Sequence, residues 1–86
     1  MPYIDLQTRE RLDGRLPPIR PGELNYSLTR VVLAYLAMQG LCYQTINDIN
    51  GALMGALTEF NRRVTAPYED RKILDNGDVY PEEVTQ

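Results

Sequence analysis

The sequence predicts an all-α protein: a helical hairpin with a short third helix folded back, assembled as a homo-oligomer. Three observations carry this reading. Apolar residues recur at helical spacing through two long segments, Leu24 to Leu36 and Ile46 to Val64. Proline or glycine stands at the segment ends, as Pro21, Gly22, Gly40, Pro67 and Gly77. The chain has 86 residues, one cysteine and no histidine, so neither a disulfide nor a histidine metal site staples its small core, and oligomerisation is the device left.

One domain is expected over residues 1–86, with an irregular arm (1–21), a helical core (22–77) and an acidic tail (78–86). In the arm, Thr8 is placed to cap a turn that runs to Leu12, and Gly14 stops it. Leu16 to Pro21 holds three prolines and must be extended. Tyr3, Ile4, Leu6, Leu16 and Ile19 are the apolar side chains expected to pin the arm.

The first long helix is predicted over residues 23–39. Leu24, Leu28, Val31, Val32, Tyr35 and Leu36 form its apolar face, and Leu33, Ala34, Ala37 and Met38 spread apolar surface further round. Such a helix needs cover on more than one side. The second helix is predicted from Ile46 to Val64 or Thr65, opened by a capping box of Thr45 and Asp48. Its stripe is Ile46, Ile49, Leu53, Ala56, Leu57, Phe60 and Val64. Gly51 and Gly55 lie beside it, each costing an interior helix about 1 kcal/mol relative to alanine, which points to close approach by another helix. Pro67 is expected to end or kink this helix, and a third runs from Pro67 to Asn76, stopped by Gly77. Acids precede bases along it, as the helix dipole prefers. Cys42 is expected as a reduced, packed thiol. Six of the seven aromatics are tyrosine, and at least four are expected half-buried with the hydroxyl at the surface.

Nine basic and twelve acidic residues give a net charge of −3, a poor balance for nonspecific nucleic-acid binding, so no DNA partner is expected. The longest apolar run, Val31 to Met38, is far short of the ~20 residues of a membrane span. The beginning of the chain has no basic–apolar leader pattern, so a cytoplasmic location without membrane contact is expected. There is no nucleophile–base pair and no phosphate-cradling glycine loop. A non-enzymatic protein without cofactor or metal is the expectation.

The most chemically suggestive cluster is Arg62, Arg63, Tyr68, Arg71 and Lys72. A turn at Pro67 would bring its members together. Guanidinium forks grip phosphate and tyrosine stacks on bases, so the cluster suits an anionic, nucleotide-type small molecule. The same residues also fit solvated helix pairs, Glu59 with Arg63 and Glu69 with Lys72. Asn25 and Tyr26, in the first turn of the first long helix, are secondary candidates for an anion.

Met1 to Ile4, Arg9 to Gly14, Pro21 to Arg30, Tyr43 to Asp48 and Glu59 to Tyr80 together resemble a domain-of-unknown-function family of small phage, prophage and bacterial proteins. Its most specific stretch is the arginine pair followed by Ala66-Pro67-Tyr68-Glu69-Asp70 and then Asn76-Gly77-Asp78-Val79-Tyr80. The resemblance implies a phage or prophage setting, in which an anti-defence protein sequestering a nucleotide immune signal is the leading expectation. A module inhibiting a host protein through the acidic C-terminal tail is the rival. A structural accessory protein is a third.

Overall fold

The structure is a computed structural model that describes residues 4–14 and 16–85, the last by its backbone alone. All regular structure among these residues is helical: α1 (Leu6–Asp13), α2 (Pro21–Gln39), α3 (Tyr43–Phe60), a π-helical turn (Asn61–Thr65), α4 (Ala66–Asn76) and a last turn, α5 (Glu82–Thr85). The chain divides into two compact units, Met1–Ile49 and Asn50–Gln86.

In the first unit, α1 packs on α2. Asp5, not Thr8, caps α1: its carboxylate accepts the Thr8 N–H and the Thr8 hydroxyl, both at 2.9 Å. Thr8 occupies the third helical position, where an orphan N–H needs an acceptor. Leu12 is buried, whereas Leu6, Leu16 and Ile19 are exposed and Ile4 is half-buried. Tyr3 lies outside the described residues. The arm is therefore held less by the expected apolar pins than by polar contacts. Arg9 Nε donates to the Ile4 carbonyl at 2.8 Å and Arg11 Nη1 to the Pro17 carbonyl at 3.3 Å.

Helix α2 opens on Pro21, whose missing N–H costs nothing at a helix start. It closes at Gly40, where φ is +83° and the N–H returns to the Leu36 carbonyl at 2.8 Å. Helix α3 starts three residues before the expected position, with the Ile46 N–H bonded to the Cys42 carbonyl at 3.0 Å. The capping box is not formed. Thr45 is buried inside the first turn with its hydroxyl 3.4 Å from Cys42 Sγ. Asp48 instead accepts from the Tyr35 hydroxyl at 3.0 Å and from Gln44 Nε2 at 2.8 Å. Cys42 itself is exposed, not packed.

Pro67 neither ends nor turns the helix. The backbone stays helical from residue 43 to residue 76 because the turn before the proline widens, with the Ala66 N–H reaching the Asn61 carbonyl five residues back. A proline inside an α-helix lacks one N–H and crowds the carbonyl four residues earlier. A wider turn relieves the crowding. Thr65 braces it through a hydroxyl bond to Asn61 Oδ1 at 3.0 Å. Helix α4 ends as expected at Gly77, at φ +89°.

In the second unit no described apolar residue is buried, and Thr65 alone is half-buried. A Cβ built on Gly51 or Gly55 would meet nothing within 4 Å, so none of the described residues makes the expected close approach. The tyrosines are also more open than anticipated: Tyr26 is half-buried, and Tyr35, Tyr43, Tyr68 and Tyr80 are exposed.

Leu12→Ala is expected to destabilise the first unit by about 2 kcal/mol, the low end for a buried leucine. Leu6→Ala should stay within about 0.5 kcal/mol of wild type, as exposed positions do. Urea unfolding of the two variants checks the contrast.

Candidate functional site

The cluster anticipated around Arg62 does not converge as a unit. Arg62 Nη2 reaches Glu59 Oε1 at 2.6 Å, and Arg63 Nη1 lies 3.9 Å from the same oxygen. Both guanidiniums are thus drawn one turn back along the helix. Arg71 and Lys72 sit over the Tyr68 ring instead, with their cationic centres 5.8 and 5.4 Å from its centroid, a distance at which cation and ring attract. The unbroken helix through Pro67 keeps these two sets apart in sequence order along one helical stretch. No turn gathers them.

Tyr68 and Lys72 do line a groove. It runs along α4 to the segment after Gly77, holds about 600 Å³ and also takes in Ile73, Val79 and Tyr80. Glu69, Asp70 and Asp78 line it as well. Asp78 Oδ1 accepts the Tyr80 N–H at 2.9 Å and sets the bend that brings Tyr80 there. With three carboxylates and one ammonium on its walls, this groove opposes an anion.

Because α2 starts at Pro21, Asn25 and Tyr26 lie past its first turn rather than in it, beyond the free amides expected to favour an anion. The Asn25 carbonyl accepts from Thr29 Oγ1 at 2.8 Å. The Tyr26 hydroxyl donates to Asp13, 2.9 Å from both carboxylate oxygens. Burial first, then this bond to Asp13, holds the Tyr26 hydroxyl above its ordinary pKa, so it is a committed donor. Arg9 lies 5.9 Å from the Tyr26 ring centroid, and Arg30 Nε approaches Asp13 at 3.7 Å.

A second groove, of about 730 Å³, was not anticipated. Leu12, Leu16, Pro17, Pro18, Val31 and Ala34 form its apolar walls, and Asp13, Tyr26, Ser27 and Arg30 its polar end. Its signal in the sequence was the proline pair: an extended strap laid on a helix leaves a trough beside it.

Behind this groove lies a charged clamp. Glu23 is only 5% exposed. Its carboxylate accepts from Arg11 Nη2 and, at 3.1 Å, from the Ile19 N–H. The Ile19 bond, and after it Arg11, hold the Glu23 carboxyl below the usual glutamate range despite burial. Asp5 is lowered in the same direction by its Thr8 bonds. The Cys42 thiol is lowered through Thr45. Among the described residues no group of three or more histidine, cysteine, aspartate or glutamate side chains is placed to hold a metal ion. No helix there is long and apolar enough to cross a membrane.

The described residues form a small all-α protein with open grooves and many of its apolar side chains exposed. The chain belongs to the DUF6899 family, a domain of unknown function, which it matches over residues 1–79. No curated protein and no solved structure matches it.

Because folding lowers the Glu23 pKa, its stabilising effect is complete above the unfolded value, about 4.3. It is lost as pH falls through the lower folded value. The first unit is therefore expected to lose helicity in acid over that interval. Glu23→Gln should lower stability at neutral pH and flatten the acid dependence, leaving the part due to Asp5. Far-UV circular dichroism across a pH series reads both effects.

Proposed function

We propose that this chain is a non-enzymatic binding protein that works as a homo-oligomer, its copies joined through α2 and α3. The observation that carries the reading is the uncovered stripe of α3. Ile46, Leu53, Leu57 (60% exposed), Phe60 and Val64 face outward at helical spacing. In proteins most helical stability comes from packing of an apolar face rather than from intrinsic propensity. Covering each large apolar side chain contributes about 1.5–3 kcal/mol, so a second copy laid on the stripe supplies what one chain lacks. Met38 on α2 is uncovered as well. The antiparallel pairing of α2 with α3 belongs to the same proposal, supported by the Tyr35–Asp48 bond across the Gly40 turn.

Capture of a phosphate-bearing nucleotide by Arg62, Arg63, Tyr68, Arg71 and Lys72 is the less favoured form of the binding reading. Glu59 already engages both Arg62 and Arg63, and carboxylates crowd the groove beside Tyr68. A phage or prophage setting belongs to the proposal through the resemblance alone.

Gly55→Leu tests the assembly separately from the fold. No atom of the chain stands in the way of the new side chain, and leucine is a better helix former than glycine by roughly 0.8 kcal/mol. Helicity should therefore hold or rise while the assembly weakens. Native mass spectrometry and sedimentation velocity are expected to give a multimer for wild type and a smaller species for the variant. A wild-type monomer at every concentration would overturn the reading.

A further inference from the structure

The groove of the first unit has apolar walls and one charged end, and nothing in the family or in the proposed α2–α3 pairing uses it. Leu16 and Val31, on its walls, are exposed, so a large part of the trough is uncovered. It opens to solvent along its length, whereas a small-molecule site encloses most of its ligand. An extended peptide suits such a trough better. At the charged end Arg30 Nε lies 3.7 Å from the Asp13 carboxylate, and Arg9 sits 5.9 Å from the centroid of the Tyr26 ring. Arg9 Nε is spent on the Ile4 carbonyl. Arg30 is different: among the described residues its ion contact is through Nε at 3.7 Å, which leaves its two terminal nitrogens for a second acid.

The chain itself carries a peptide of matching chemistry. Residues 75–86 hold Asp75, Asp78, Glu82 and Glu83 and no basic residue. Between these acids stand Val79 (91% exposed), Tyr80 and Val84, all uncovered. Asp78 to Pro81 is not helical and follows Gly77, whose φ is +89°. Asp78 on one side and Glu82 and Glu83 on the other bracket Val79 and Tyr80 there, against an apolar trough with an arginine at its end.

We propose that the Leu12–Leu16–Pro17–Pro18–Val31 groove of one copy receives the Asp78–Val84 segment of a second copy, with Arg30 pairing an acid of that segment. Because the groove and the segment are different surfaces, the contact is head-to-tail, and each copy offers one of each. It does not rest on the α2–α3 pairing, which joins other faces.

The test is a charge swap in the full chain. Cys42, the single cysteine and exposed, accepts donor and acceptor dyes, and energy transfer between differently labelled chains reads association. Arg30→Glu gives an acidic groove end against an acidic segment. The double variant Asp78→Lys, Glu83→Lys gives a basic segment against a basic groove end. Each variant mixed with itself should associate about tenfold more weakly than wild type, the scale of one or two charge contacts. The Arg30→Glu chain mixed with the double-lysine chain should regain wild-type affinity. That recovery also shows that both variants are folded. Equal transfer in all pairings overturns the proposal and leaves the α3 contact standing as the source of association. Weakening without recovery in the mixed pairing overturns it as well. Loss of assembly in Gly55→Leu with the charge-swap pattern intact would overturn the α3 reading and leave this one standing.

Discussion

The first unit depends on how one carboxylate is satisfied. Glu23 is buried near the start of α2, and a buried carboxylate without partners is costly. Its partners come from the two segments that precede it: Arg11 from α1, and the Ile19 N–H from the proline strap. Pro17, Pro18 and Pro21 offer no N–H at all, so the strap has few donors with which to hold a place. Ile19 supplies one to Glu23. Arg11 meanwhile binds the Pro17 carbonyl as well as Glu23. One ion pair thus fixes the angle of α1 on α2 and the course of the strap between them. The groove beside Leu16 and Val31 is a consequence of that course.

No comparable interaction organises the second unit. Its polar groups are settled locally along one helical stretch: Arg62 and Arg63 on Glu59, Thr65 on Asn61, Arg71 and Lys72 on the Tyr68 ring. Exposed pairs of this kind contribute little to stability, about 0–1 kcal/mol each. They do not bring distant residues together. The π turn has the same local character, since it lets Pro67 stay inside a helix without a neighbouring element. What is left unsettled is apolar: Leu53, Leu57, Phe60, Leu74 and Val79 stay exposed.

The parts of the fold that the sequence made legible are those fixed by backbone chemistry at single residues. Gly40 and Gly77 end helices because they take positive φ, which other residues resist. Pro21 opens a helix because its first turn needs no N–H there. Pro17 and Pro18 keep the strap before α2 out of a helix for steric reasons too, whereas Pro21, expected to extend it, starts α2. Less legible were features in which two solutions of similar cost compete. Pro67 can break a helix or widen it, and the wider turn with its Asn61–Thr65 bond prevails. Asp5 and Thr8 both suit a cap, but Thr8 carries the N–H that needs one. The Arg11–Glu23 pair joins residues separated by a strap whose path must be known first, so no spacing rule announces it. The arginine-rich cluster failed as a single site for a related reason: its convergence required a turn at Pro67.

This division bears on what the molecule does. A site that captures an anion keeps its donors uncommitted and its cations free of nearby carboxylates, because each such pairing must be undone when the ligand enters. Here Arg62, Arg63 and Tyr26 are already engaged inside the chain. Tyr68 is covered by the chain's own cations. Association through apolar surface carries no such reversal, since the surface is exposed before binding and only water leaves it. The guanidinium fork of Arg30, set at the end of an apolar trough, is where the two requirements meet: an acid arriving there finds a cation held by one long contact, and the residues beside that acid find Leu16 and Val31 uncovered. The proposed pairing between copies rests on that match: an acidic segment with exposed Val79, Tyr80 and Val84 against an apolar trough that ends in Arg30.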